Sequence, residues 1–169
     1  MIPWEYWGCF LMLGAAFVTD IKSMKIPNAI TMTGVAAGLC YHSITSGGSG
    51  ALFAIKGAGI GFALMFVLYL LRAVGGGDVK LFAGIGAWLG TGLTLSTMMY
   101  SIFAAGCIGL IIIIWRREAL TRVRRVAHTV LGAVILRSVA PIKTAAQGQL
   151  QFPFMLAVLP GAIMSVYYF

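Results

Sequence analysis

From Ala51 to Leu71 this chain carries one charged side chain, Lys56. At about 1.5 Å per helical residue, that run is long enough to cross the hydrocarbon of a bilayer. Similar apolar runs cover Ile2–Val18, Asn28–Ile44, the stretch after Asp78 to about Leu95, Met98–Trp115 and Phe152–Tyr168. In lipid every backbone N–H and C=O must be satisfied within the protein, so runs of this length are read as helices. The short alternating strands of an outer-membrane barrel are absent from the pattern. With 60% hydrophobic and 9% charged residues, the chain lacks the polar side chains that cover a water-soluble globule. The expectation is an all-α polytopic membrane protein of six transmembrane helices, forming a single integral-membrane domain over residues 1–169.

Loops follow from what interrupts these runs. Thr19–Asn28 contains Lys22 and Lys25, and its Pro27 suits the entry of the next helix. Ser46–Gly50 and Thr91–Thr97 are uncharged and are read as outer turns. The net charge of +8 comes from basic residues placed between apolar runs. That placement suits topology signals and anionic lipid rather than a nucleic-acid groove. With the N-terminus outside, Lys22, Lys25, Arg72, Lys80 and the cluster Arg116–Lys143 all fall on the cytoplasmic side. Both termini are then outside. The Arg116–Lys143 segment, between helices 5 and 6, reads as a basic amphipathic helix on the cytoplasmic membrane face, or as a plain topology loop. The first run has no basic region before it and Glu5 inside it, so it is expected to be a retained helix and not a signal peptide. Cys9, Cys40 and Cys107 lie in three separate apolar runs and are expected to be buried, inert thiols.

The carboxylates carry the functional signal. There are four, Glu5, Asp20, Asp78 and Glu118, and an acid kept at the end of a membrane helix is a functional candidate by default. The inferred topology puts Asp20, at the end of the first helix, and Asp78, at the start of the fourth, on the same membrane face. Two carboxylates brought close cannot both ionise cheaply, so one holds a proton while the other stays charged. An aspartyl peptidase needs that arrangement: a general base for water, and an acid that polarises the scissile carbonyl. Gly75, Gly76 and Gly77 precede Asp78, and glycines there are expected to allow unusual backbone conformations and close approach. Two other readings stay open: a proton-coupled transporter or channel subunit, and a non-catalytic assembly scaffold.

Asp20 with Lys25-Ile26-Pro27-Asn28, and Gly75-Gly76-Gly77-Asp78-Val79-Lys80, resemble the two motifs of the type IV prepilin peptidases, membrane aspartyl proteases of the GxGD type. The resemblance implies that Asp20 and Asp78 are catalytic. It also implies that Gly75 or Gly76, with Gly77, fills the glycine positions, and that Lys25, Ile26, Pro27, Asn28 and Lys80 support the site. Larger family members carry a cytoplasmic insert with paired cysteines and also N-methylate the cut pilin. Here the first two helices are joined by a short loop without cysteine, which is similar to the peptidase-only branch of Tad/Flp pilus systems. The implied substrate is a prepilin or pseudopilin cut at the cytoplasmic face of the bacterial inner membrane. No cofactor or metal is expected: His42 and His128 stand apart from any ligand cluster, and no Walker loop follows the glycines.

Overall fold

The structure is a computed structural model and describes residues 4–115 and 154–168. The basic stretch Arg116–Lys143 lies outside the described residues. Those described form four helices and no strand: α1 (Trp4–Ser23), α2 (Asn28–Leu70), α3 (Gly76–Trp115) and α4 (Met155–Tyr168). The described residues up to Ala105, together with Phe154–Tyr168, belong to one compact unit; Gly106–Trp115 belong to another.

Two of the helices are each broken by one residue. Gly47 (φ 60°, ψ −139°) interrupts α2, and Gly90 (φ 72°, ψ −175°) interrupts α3. Both conformations are open to glycine and strained for other residues. At each break the chain doubles back. Before Gly47, Gly38 lies against Ala87 and His42 against Trp88; after it, Gly57 lies against Gly86 and Gly61 against Phe82. The two parts of α2 therefore run in opposite directions along one part of α3. With α1 and α4, the four helices comprise six helical stretches.

The first turn agrees with the Ser46–Gly50 turn read from the sequence. The second does not fall at Thr91–Thr97, which is helical; the break is at Gly90. Of the hydroxyl residues in that segment, Thr94 and Thr97 are buried. Thr94 Oγ1 donates to the Gly90 carbonyl, Ser101 Oγ donates to the Thr97 carbonyl, and Thr94, Thr97 and Ser101 are all buried on one stripe. From α4, Gly161 packs on Ser101, and Ser165 Oγ donates to the Leu93 carbonyl at 3.0 Å.

Leu81–Gly90 is buried at every position. A helix enclosed on all sides needs apolar or small residues all round, and this one has Phe82, Ile85, Trp88 and Leu89 interleaved with Ala83, Gly84, Gly86 and Ala87. Its neighbours meet it at small residues. A Cβ on Gly57 would overlap the Gly86 carbonyl, and a Cβ on Gly86 would overlap the Gly57 carbonyl. The Trp88 ring lies over Gly8 of α1, and Met12 Sδ fills the space at Gly34 and Gly84. The pairs Gly57/Gly61 and Gly86/Gly90 are thus close-packing surfaces. The break at Gly90 disturbs the bonds of the preceding turn, and buried His42 Nε2 donates to the Trp88 carbonyl at 3.0 Å. His42 is a tether between helices, and no group of three metal-binding side chains occurs among the described residues.

The outward surface is apolar: Leu11, Ile44, Leu52 and Phe103 are each more than half exposed. Such a surface suits hydrocarbon and not water. It also corrects the cysteine expectation, because Cys9 is buried while Cys40 and Cys107 are exposed. Thiols on lipid-suited helix faces are apolar without being internal. Asn28–Leu70 and Gly76–Ile112 are long and apolar enough to cross a membrane.

The Gly57–Gly86 contact yields a stability test. Gly57→Ala or Gly86→Ala should each destabilise the fold by about 1–3 kcal/mol, because the opposing atoms are backbone and cannot move aside alone. Gly59→Ala, with nothing within 4 Å of its Cβ position, should be neutral or stabilising by up to about 1 kcal/mol. Thermal unfolding of the three variants in detergent provides the comparison.

Candidate active site

Asp20 lies in the last turn of α1 and is 6% exposed. The helix stops at Ser23 because Met24 takes a left-handed conformation (φ 49°), and the Met24 N–H closes on the Asp20 carbonyl at 2.8 Å. This is the one-bond left-handed helix ending, here built on methionine rather than glycine. Met24–Pro27 then links α1 to α2. Pro27 is the N-cap residue of α2 (φ −61°, ψ 138°), with its fixed φ and no side-chain cap bond, and Asn28 is the first helical residue.

Asp78 is the third residue of α3 and is 8% exposed. The Gly75 N–H donates to Asp78 Oδ2 at 3.0 Å, while the Asp78 and Val79 N–H groups donate back to the Gly75 carbonyl. An acidic side chain three residues into a helix, reaching back to the N-cap N–H, is one half of a capping box. The chain arrives at this point from α2, which ends in a two-bond closure. The Ala73 N–H donates to the Leu68 carbonyl and the Arg72 N–H to the Tyr69 carbonyl, with Arg72 left-handed (φ 59°).

Asp20 is held in a corresponding way. Its Oδ2 accepts the N–H of Met155, the first residue of α4, at 3.1 Å. Each carboxylate therefore has one oxygen bonded to a backbone amide at a helix start. Such amides lack intrahelical partners and sit at the positive end of the helix dipole.

The two aspartates line one cavity of about 300 Å³, whose remaining walls are Met24–Ile26 and Gly75–Gly77. The structure thus brings Asp20, Lys25, Ile26, Gly75, Gly76, Gly77 and Asp78 together. Pro27, Asn28 and Lys80 stand behind the wall. Lys80 Nζ donates to Asn28 Oδ1 at 2.8 Å, which ties the start of α2 to the first turn of α3.

The three glycines do not play the conformational part expected of them, since none has a positive φ. Their role is close approach, and it is unequal. A Cβ on Gly77 would sit 3.2 Å from Ile26 Cβ, and one on Gly75 would sit 3.2 Å from Asp78 Oδ2. A Cβ on Gly76 would meet only the Tyr69 ring, at an ordinary 3.7 Å. Gly75 and Gly77 are the positions where space is needed. Met24 and the Met155 amide were not found by sequence reasoning. The first had no marker, and the second is a backbone group 135 positions from its partner.

Comparison with known proteins gives a consistent result. The type IV leader peptidase family model matches residues 7–114, a range that holds both aspartates. A prepilin leader peptidase/N-methyltransferase of Neisseria gonorrhoeae is 28% identical over 70% of this chain and 46% of its own length. One from Pectobacterium carotovorum subsp. carotovorum is 31% identical over 65% of this chain and 42% of its own. The chain thus spans less than half the length of these curated relatives. No solved structure gives a significant match. The chain belongs to the type IV leader peptidase family.

Proposed function

We propose that this protein is an integral-membrane aspartyl endopeptidase that removes the short leader of type IV prepilins or pseudopilins. The observation that carries the reading is the pair of buried aspartates, Asp20 and Asp78, lining one cavity in a chain of this family. The relatives' names pair a prepilin leader peptidase with an N-methyltransferase. The short cysteine-free link Met24–Pro27 supports a peptidase without the methyl-transfer activity, of the Tad/Flp type. No cofactor enters the proposal.

In this reading the six helical stretches each cross the bacterial inner membrane, with both termini outside. Lys22, Lys25, Arg72 and Lys80, at the helix ends around the cavity, face the cytoplasm by the positive-inside rule. The pair shares one proton. A water molecule in the cavity gives a proton to the ionised carboxylate as its oxygen attacks the scissile carbonyl carbon. The protonated carboxyl donates to the carbonyl oxygen, forming a tetrahedral diol. Collapse of the diol breaks the C–N bond: the leaving amine takes the proton held by the first carboxyl, and a diol hydroxyl returns its proton to the second carboxylate, which restores the shared-proton state of the pair and leaves the new carboxyl terminus. The two groups titrate as a unit, so acid and base are roles of the pair. Ile26 on Gly77, and Lys80 on Asn28, keep the two walls of the cavity in register. Lys25 is the cation of the cavity wall. The basic segment Arg116–Lys143 is assigned to anionic lipid at the cytoplasmic face, and no nucleic acid is involved.

Asp20→Asn and Asp78→Asn should each lower processing of a co-expressed prepilin by about 10²- to 10⁴-fold, at normal membrane levels. The size shift of the prepilin reads this directly, and survival of processing in either variant rules out the paired mechanism. The glycine geometry adds a second test. Gly77→Ala should lower processing about tenfold, close to 1.4 kcal/mol at the barrier, because Ile26 must shift. Gly76→Ala should stay within about twofold. Equal effects of the two substitutions would contradict the unequal roles assigned to these glycines.

A further inference from the structure

Asp20 has lost nearly all contact with solvent, being 6% exposed. A buried carboxyl oxygen needs a partner to replace water. The partner for Oδ2 is the Met155 N–H at 3.1 Å, supplied by a helix that enters the chain 135 positions later. Met155 itself is fully buried, and the first turn of α4 is regular: the Ala157 and Val158 N–H groups both donate to the Phe154 carbonyl. The donor is therefore fixed by packing and aimed at the carboxyl group. Asp78 draws its corresponding bond from Gly75, within its own helix cap. Asp20 has no such local donor, and its rotamer depends on α4.

The geometry points to the Met155 backbone amide as a positioning group of the active site: it holds Asp20 Oδ2 so that the other carboxyl oxygen serves the cavity. The inference rests on the peptidase reading above. The amide touches neither water nor substrate in the reaction; it acts through Asp20. The described start of α4 is thereby a third component of the site, beside the end of α1 and the start of α3.

Proline at the first residue of a helix removes the N–H while suiting the helix backbone, so Met155→Pro deletes the donor. Met155→Val, which keeps the N–H and shortens the buried side chain to nearly the volume of proline, is the matched control. Relative to Met155→Val, Met155→Pro should lower kcat about tenfold to a hundredfold, with KM within about twofold, as expected when a reacting group is misplaced and substrate binding is not. Equal kcat in the two variants overturns the proposal and leaves the peptidase reading intact. A wild type that leaves the prepilin uncut overturns both. Should Met155→Pro fail to accumulate, amide exchange decides without activity. The Met155 N–H should exchange at least about tenfold faster in Asp20→Ala than in wild type, and at the wild-type rate in Asp78→Ala. An unchanged rate in Asp20→Ala overturns the proposal.

Discussion

The structure depends on the enclosure of Leu81–Gly90. A helical stretch buried at every position has to be approached closely on several sides at once, and only small side chains at the crossings permit that. Gly57 against Gly86, Gly38 against Ala87 and Gly8 against Trp88 meet this requirement from α1 and from both parts of α2. Close crossings of this kind, backbone to backbone at Gly57–Gly86 and ring to backbone at Trp88–Gly8, give dispersion contacts in place of the hydrophobic driving force that an apolar surrounding does not supply. The breaks at Gly47 and Gly90 serve the same end, because each returns a helix to pack beside the one it came from.

The candidate site sits where that central stretch begins. Asp78 is three residues before Leu81, so the helix that contains the fully buried stretch carries one of the two carboxylates in its first turn. The other is brought in from the outer helix α1. The polar groups at this end are engaged with one another in short bonds: Gly75 with Asp78, Met155 with Asp20, and Lys80 with Asn28. At the opposite end of the same stretch, His42 spends its donor on Trp88. Polar bonds thus mark both ends of the central stretch.

Much of this was legible in the sequence because membrane chains avoid carboxylates, so that Asp20 and Asp78 stood out against long apolar runs. The sequence also spaces Gly57 from Gly61 and Gly86 from Gly90 by four residues, which is the pattern of small residues that lets helices approach closely. Three things were not legible. The second chain reversal was read from the polarity of Thr91–Thr97, yet a hydroxyl inside an apolar helix can bond to the preceding turn, as that of Thr94 does, and then gives no turn signal; the backbone at Gly90 decided the matter. The glycines before Asp78 were read as conformational freedom together with close approach; only close approach applies, at Ile26 and the Asp78 carboxylate, and which of the three glycines needs the space was not legible. The Met155 donor is a main-chain group, and no side-chain pattern announces it.

The two carboxylates hang on supports that are enclosed to different degrees. Asp78 stands three residues before the stretch that is buried at every position. Asp20 is attached to α1, whose other face presents Trp7, Leu11, Val18 and Ile21 outward, and it is roped to the beginning of α4. The Met155–Asp20 bond thus makes the cavity answer to two helices that are far apart in sequence: a displacement of α4 reaches the carboxyl pair through Asp20, whereas Asp78 takes its place from its own helix cap.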